Sequence, residues 1–285
     1  MKNKTKKLWI YFLTGMVLLI SFFYFQNNSL VTTEYTITSK KLPPSFDGYR
    51  IVQLSDLHNK SFGKDQSRLV EKVIESKPDL IVFTGDLIDA DTDDETPSLI
   101  LMEKLVQIAP VYFVTGNHEW WSNQFDTLES SLKDIGVKVL RNEAEEVAVG
   151  DDQIFIAGID DPANVTEREH EKAIMEERIG NLSEDINGHD QFQILLSHRP
   201  ELFSLYTEHE FDVVFSGHAH GGQFRFPFVG GLIAPDQGFP PRYTSGTYTS
   251  SYTTMVVNRG LGNSVIPVRF LNRPEVVLVT LESAN

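Results

Sequence analysis

Cysteine is absent from the 285 residues, which removes disulfides, thiolate nucleophiles and sulfur-ligated zinc or iron–sulfur sites from consideration. Cations are scarce: 25 Lys and Arg face 40 Asp and Glu, and four of the lysines stand within the first seven residues. Without that tail, 21 cations against 40 anions leave a formal charge of −19. Such a surface is poorly suited to gripping nucleic-acid phosphates. Alanine is missing until Ala90, and bulky aromatics occupy residues 22–25. The small-residue cleavage site of a removable signal peptide is therefore not in place.

What the amino terminus does contain is Lys2, Lys4, Lys6 and Lys7, followed by an uncharged run over residues 8–25. As a helix that run is about 27 Å long, close to a bilayer's hydrocarbon thickness. It is apolar all round and sits beside lysines, which suits a membrane span better than a buried helix of a globular body. Residues 1–7 are expected as a cytoplasmic basic tail, 8–25 as an uncleaved transmembrane signal anchor, and 26–45 as a linker with an edge strand. The globular body would then occupy residues 46–285, outside the plasma membrane of a single-pass protein.

Short apolar runs recur through that body: 51-IVQL-54, 80-LIVF-83, 111-VYFV-114, 154-IFIA-157, 193-QILL-196 and 213-VVF-215. Helical periodicity separates several of them, over 66–76, 98–108, 125–135 and 167–181. This alternation predicts an α/β sheet core with helices on its faces and a ligand site beyond the carboxyl ends of the strands. The later runs 252-YTTMVV-257 and 275-EVVLVTL-281 have no long helix between them and add further sheet.

Polar residues follow five of these runs in one pattern. Ser55-Asp56-Leu57-His58, Thr84-Gly85-Asp86, Thr115-Gly116-Asn117-His118-Glu119, Ser197-His198 and Ser216-Gly217-His218-Ala219-His220 each stand at a strand end. Singly, each has a bland explanation as a cap or turn, and a lone His such as His198 after a strand is more often a turn residue than a ligand. Together they are hard to dismiss, because five of the eight histidines fall in these slots. His170, His189 and His209 lie in charged stretches and are expected at the surface.

Alternation in an extended chain sends residues i and i+2 to one side. Asp56 with His58, and His218 with His220 if that turn is extended, are thus expected to aim paired ligands at one cavity, with Gly217, Gly221 and Gly222 letting the backbone approach the ions. Imidazole, carboxylate and an Asn carbonyl, without sulfur, suit divalent manganese, zinc or iron, with magnesium as a further candidate. The seven candidate ligands, Asp56, His58, Asp86, Asn117, His198, His218 and His220, are too many for one ion. They point to two ions about 3.5–4 Å apart.

The order 56-DLH-58, 85-GDLID-89, 116-GNHE-119, His198, 217-GHAH-220 resembles the motif series of the calcineurin-like metallophosphoesterase superfamily. The segment 256-VVNRGLGNSVIPVRFLNRPEVVLVTL-281 looks like its membrane-anchored bacterial phosphodiesterase branch. The resemblance implies a four-layer α/β/β/α sandwich, with residues 46–285 as the catalytic domain. It implies that Asp56, His58 and His220 hold one metal, that Asn117, His198 and His218 hold the other, and that Asp86 bridges them. A hydroxide shared by the two ions would attack phosphorus in line, while the catalytic His118 serves the leaving oxygen and Asp89 orients its ring.

The implied activity is hydrolysis of phosphoric ester bonds. One departure narrows it: the superfamily's protein phosphatases have, after the second motif, an Arg that grips a phosphomonoester, and Ala90 stands here. A phosphodiester or diphosphate depends less on such a clamp. Membrane attachment makes a phosphorylated lipid or envelope polymer the expected substrate and partner. Two alternatives remain: a nuclease-type phosphodiesterase, against which the acidic balance counts, and a non-catalytic, metal-stabilised envelope binding protein, in which His118 would be dispensable. A β-lactamase-like hydrolase needs H-x-H-x-D-H, but His220 is followed by Gly221, Gly222 and Gln223. Trp120 and Trp121 are expected either as an apolar substrate wall or as core, and residues 224–243 either as a rim over the site or as cover for the sheet.

Overall fold

The structure is a computed structural model and describes residues 2–164, 170–186, 191–263 and 266–284. Two six-stranded sheets form its centre. The first has β1 (Val31–Ser39), β14 (Glu275–Ser283), β2 (Arg50–Leu54), β3 (Leu80–Thr84), β4 (Val111–Val114) and β5 (Lys138–Val139) in that spatial order. The second runs β12 (Gly246–Ser250), β13 (Thr253–Val257), β9 (Val213–Ser216), β8 (Gln193–Leu196), β7 (Asp152–Gly158), β6 (Glu143–Val149). Neighbours from β2 to β5 are parallel, as are β7, β8, β9 and β13.

The period of two decides which side chain goes where. Ile51, Leu80, Val82, Tyr112 and Val114 face Ile154, Ile156, Ile194, Leu196, Val213 and Phe215 in a cluster between the sheets. The intervening Val52, Leu54, Ile81, Phe83, Val111 and Phe113 turn the other way. They meet α2 (Ser67–Ser76), α3 (Thr96–Leu105) and α5 (Phe125–Ile135) through Leu69, Val73, Leu101, Leu105, Leu128 and Leu132. On the far face of the second sheet, Phe155, Ala157, Leu195 and Val214 pack against α6 (Glu171–Ile186) and α7 (Phe203–Glu208). The result is the expected four-layer α/β/β/α sandwich. Each large apolar side chain so buried contributes roughly 1.5–3 kcal/mol.

Several boundaries differ from the periodicity reading. Helix α3 starts at Thr96, with Pro97 in its first turn, where proline's missing N–H costs nothing. Helix α6 runs from Glu171 to Ile186, whereas helical pattern alone put it over 167–181, of which residues 167–169 lie outside the described residues. Strand β1 pairs in parallel with β14 along its whole length and forms the sheet edge. His170 is exposed and His209 half-buried, while His189 lies outside the described residues.

The amino-terminal helix α1 (Lys2–Asn28) is one helix long and apolar enough to cross a membrane, with exposed side chains such as Leu8, Trp9, Leu18 and Ile20. Its carboxyl end is docked on the body. Lys60 donates to Asn27 O and Arg68 to Asn28 O, satisfying two terminal carbonyls of the helix, and Arg273 donates to Ser29 O just beyond it.

Candidate metal centre and active-site pocket

All five ligand-bearing loops leave the carboxyl ends of β2, β3, β4, β8 and β9, so the two parallel blocks deliver them to one cleft. Two buried bonds set the halves against each other. Gln53 Nε2 donates across the sheets to Ser216 O at 2.9 Å, and His218 N donates to Asp56 Oδ1 at 3.0 Å. Gly217 sits where a Cβ would lie 1.9 Å from Ser55 Oγ and 2.6 Å from Asp56 Oδ2. No other residue fits there.

The loops are not extended as alternation suggested. Asp56 (φ 52°), His58 (φ 49°), Asp86 (φ 53°), His218 (φ 63°) and His220 (φ 46°) are all left-handed. Each costs on the order of 1 kcal/mol, a strain that Asp, Asn and His tolerate better than most side chains. Paired ligands converge because the backbone kinks at each one. At two further glycines a side chain would collide with neighbours: a Cβ at Gly221 would lie 2.1 Å from Asn272 Oδ1 and one at Gly222 2.4 Å from Gly231 Cα.

Two overlapping groups result. Asp56, His58, Asp86 and His220 place ligand atoms within 4.8 Å of one another, and so do Asp86, His198 and His218. Asp86 belongs to both: its Oδ2 lies 3.6 Å from His58 Nε2 and 3.2 Å from His198 Nε2. His220 Nε2 is 3.2 Å from His58 Nε2 and 3.3 Å from Asp56 Oδ1. Asn117 is buried beside them at the start of α4 (Asn117–Trp121).

The donor set fits divalent cations. Asp56 Oδ2 and Asn117 Oδ1 are buried with no hydrogen-bond partner among the described residues, a costly condition unless something else satisfies the site. Burial drives the His58 pKa down to about 3 despite Asp86, and burial with His58 drives His220 well below its ordinary value. Both imidazoles are neutral, with lone pairs available to a metal. Burial pushes Asp86 up, but His198, His118 and His58 outweigh it and hold the carboxylate ionised. Burial also opposes protonation of His198, yet Asp86, Asp56 and Asp161 raise its pKa to about 10. Its Nδ1 donates to Thr84 O at 2.7 Å, which fixes the ring and directs Nε2 to Asp86 and His218.

Glu119, given no role by sequence, holds the bridge loop in place. Its carboxylate accepts from the amides of Asp86 (2.9 Å), Leu87 (2.8 Å) and Gly116 (2.6 Å). Burial and Asp86 push its pKa up to about 7, against those donors. His118 lines the pocket, and its Nδ1 accepts from Ala90 N at 3.1 Å; Asp89 Oδ1 lies farther off, at 3.6 Å. A backbone amide, more than the expected Asp89, orients this ring.

The pocket above the cluster has a volume of about 850 Å³. Trp121, Ile233, Pro235 and Ile266 line its apolar side, so of residues 224–243 the stretch 233–236 borders the site. The tryptophan pair splits: Trp121 faces the pocket, while Trp120 donates to Thr115 and packs on Phe125 under Arg141. The other wall carries Glu171, Asp236 and Arg199. Arg199 is buried and clamped by Asp161 through two bonds of 2.7 and 3.0 Å, with Asp236 at 3.0 Å. A cue for Asp161 was available: β7, the parallel neighbour of β8, is followed after Ile159 by a polar pair, Asp160-Asp161.

The chain belongs to the calcineurin-like phosphoesterase family, whose profile matches residues 49–222. It is a metallophosphoesterase, a hydrolase of phosphoric ester bonds. It is 36% identical over 267 residues to the metallophosphoesterase YkuE of Bacillus subtilis (strain 168), spanning 92% of this chain and 89% of that protein. It is 28% identical over 246 residues to phosphodiesterase YaeI of Escherichia coli (strain K12), covering 82% of each. A Bos taurus transmembrane protein with a metallophosphoesterase domain is 28% identical over 265 residues, 88% of this chain and 57% of that one.

Proposed function

We propose that this enzyme hydrolyses phosphodiester or diphosphate bonds of a lipid or cell-envelope substrate, using two divalent ions, at the outer face of the plasma membrane in which α1 anchors it. The observation that carries the proposal is Asp86, shared by two ligand groups on the floor of a pocket whose one arginine is already neutralised. Asp56, His58 and His220 would hold one ion, Asn117, His198 and His218 the other, and Asp86 would bridge them. Such a pair acidifies a water and neutralises the phosphoryl oxygens.

The protein's own groups supply the rest. Because Ala90 N–H donates to His118 Nδ1, the ring turns an N–H on Nε2 toward the pocket, from which it would donate a hydrogen bond to the leaving oxygen and stabilise the charge developing there. Trp121, Ile233 and Pro235 would hold an apolar substrate part and exclude water. Asp236 and Glu171, around an Arg199 already claimed by Asp161, disfavour the extra charge of a phosphomonoester. That supports the diester or diphosphate preference inferred from Ala90, and with the −19 balance disfavours nucleic acid.

The test strips the full-length protein of metal and reloads it with manganese, zinc, iron or magnesium. Each form is assayed on a chromogenic diester, the matching monoester and a phospholipid diester in vesicles. Metal-dependent cleavage favouring the diesters is expected; turnover of soluble monoesters alone would sink the proposal.

A further inference from the structure

Among the described residues, α1 is not the one apolar element that stands in the open beside the site. Strands β10 (Arg225–Phe226) and β11 (Gly230–Gly231) form a small hairpin in the rim. Its tip presents Phe228 fully exposed and Val229 at 64% exposure, and Phe226, Ile233 and Leu271 around it are also exposed. Over residues 224–235 the only charge is Arg225, whose guanidinium donates inward to Gly221 O and Thr244 Oγ1. In a chain with 40 acids, an acid-free, aromatic surface of this kind marks an interaction site.

Contacts with α1 identify the occupant. The Phe226 ring lies 5.4 Å from Phe270, and Phe270 lies 5.7 Å from Phe22 of α1. Phe22 is within the apolar run over residues 8–25, roughly one helical turn from its outer end. The cations Lys60, Arg68 and Arg273 tie the helix end to the body, so this relation is built in. A helix spanning the bilayer therefore carries the hairpin base to the level of its own last apolar turn.

We infer that the β10–β11 hairpin is a second membrane contact, with Phe228 and Val229 seated in the interfacial layer of a lipid bilayer. This rests on the reading of α1 as a membrane span, and it deepens the substrate proposal. Ile233, just beyond the hairpin, both borders this apolar patch and lines the pocket, so the pocket would open at the lipid surface, where aromatic side chains are at home.

The absence of cysteine makes the test direct, since any introduced thiol is unique. Full-length Phe228→Cys, Val229→Cys, Ile20→Cys and Tyr252→Cys would each carry an environment-sensitive fluorophore, in phosphatidylglycerol–phosphatidylcholine vesicles containing lipid spin-labelled near the headgroup. Tyr252 is exposed at the end of the second sheet opposite the ligand loops and serves as the control. Labels at 228 and 229 are expected to be quenched at least several-fold more than the label at 252; having two tip positions guards against one variant misfolding. Quenching at 20 with none at 228 or 229 overturns the hairpin contact and spares the anchor. No quenching at 20 overturns both. As a second readout, Phe228→Asp with Val229→Asp should cut cleavage of a phospholipid diester in vesicles about tenfold or more and leave cleavage of a soluble diester unchanged. Equal loss on both substrates would count against a membrane role for the tip.

Discussion

The floor and the side wall of one pocket are both buried and both rich in charge, yet they are built in opposite ways. On the floor, Asp56 and Asn117 keep atoms without a partner among the described residues, and five ligand positions hold left-handed backbone. On the wall, Arg199 and Asp161 are matched in a two-bond clamp, with Asp236 added. Unmatched, strained polar groups persist where the fold holds them for something that binds; matched ones hold the fold itself. The predictions below separate these two kinds of buried charge.

The largest effect belongs to the bridge. Asp86→Ala is expected to abolish turnover and to lower the bound metal, measured by elemental analysis, by at least one ion per chain; full activity with two ions retained would break the contrast. Next, His118→Asn should lower kcat by about 10²–10⁴-fold with metal content unchanged. The non-catalytic binding-protein alternative predicts no change. On the wall, Arg199→Met leaves the buried Asp161 carboxylate without its cation, with only the Ala163 amide donating to it, which should cost about 3–5 kcal/mol in denaturant unfolding while the floor still loads metal.

Two smaller effects sharpen the picture. His198 has its folded pKa raised to about 10, so metal-free protein holds that proton at neutral pH. The stability it lends the metal-free form is complete below the ordinary histidine range near 6.5 and is lost as pH rises through about 10. Metal entering at pH 8 must displace the proton. Calorimetry in buffers of different ionisation enthalpy should register release of about one proton per chain, with affinity falling as pH falls. Finally, Asp89→Asn should leave kcat within about threefold, under 1 kcal/mol, because the Ala90 amide is the nearer partner of His118 Nδ1. A drop as large as that of His118→Asn would restore Asp89 as the orienting group.

Much of the scaffold was readable along the chain. Runs such as 51-IVQL-54 and 80-LIVF-83 alternate between two cores, so β-propensity, burial and period agreed, and the residue types after each run named the ligand chemistry. Short or locally unremarkable elements were not readable. Helix α4 is five residues long, and β5, β10 and β11 are two residues each, too short for any periodicity to register. The split of Trp120 from Trp121 follows from two consecutive helical positions pointing about 100° apart, once the helix is known. Glu119 stood inside a recognised motif, but its cradle depends on amides of a loop more than 30 residues away.

Linear order and residue type were enough to specify the sandwich, the Asp and His side chains that gather at the candidate metal centre and an apolar helix of membrane length, because burial and coordination preferences are properties of single residues and their spacing. Convergence was settled only in three dimensions. Left-handed kinks, not extended alternation, turn Asp56 and His58 or His218 and His220 toward one point; the inter-sheet bonds of Gln53 and Asp56 set the two halves in register; and the bonds of Lys60, Arg68 and Arg273 fix where α1 joins the body. Each of these depends on groups far apart in the chain, and their geometry exists only after the two sheets have packed.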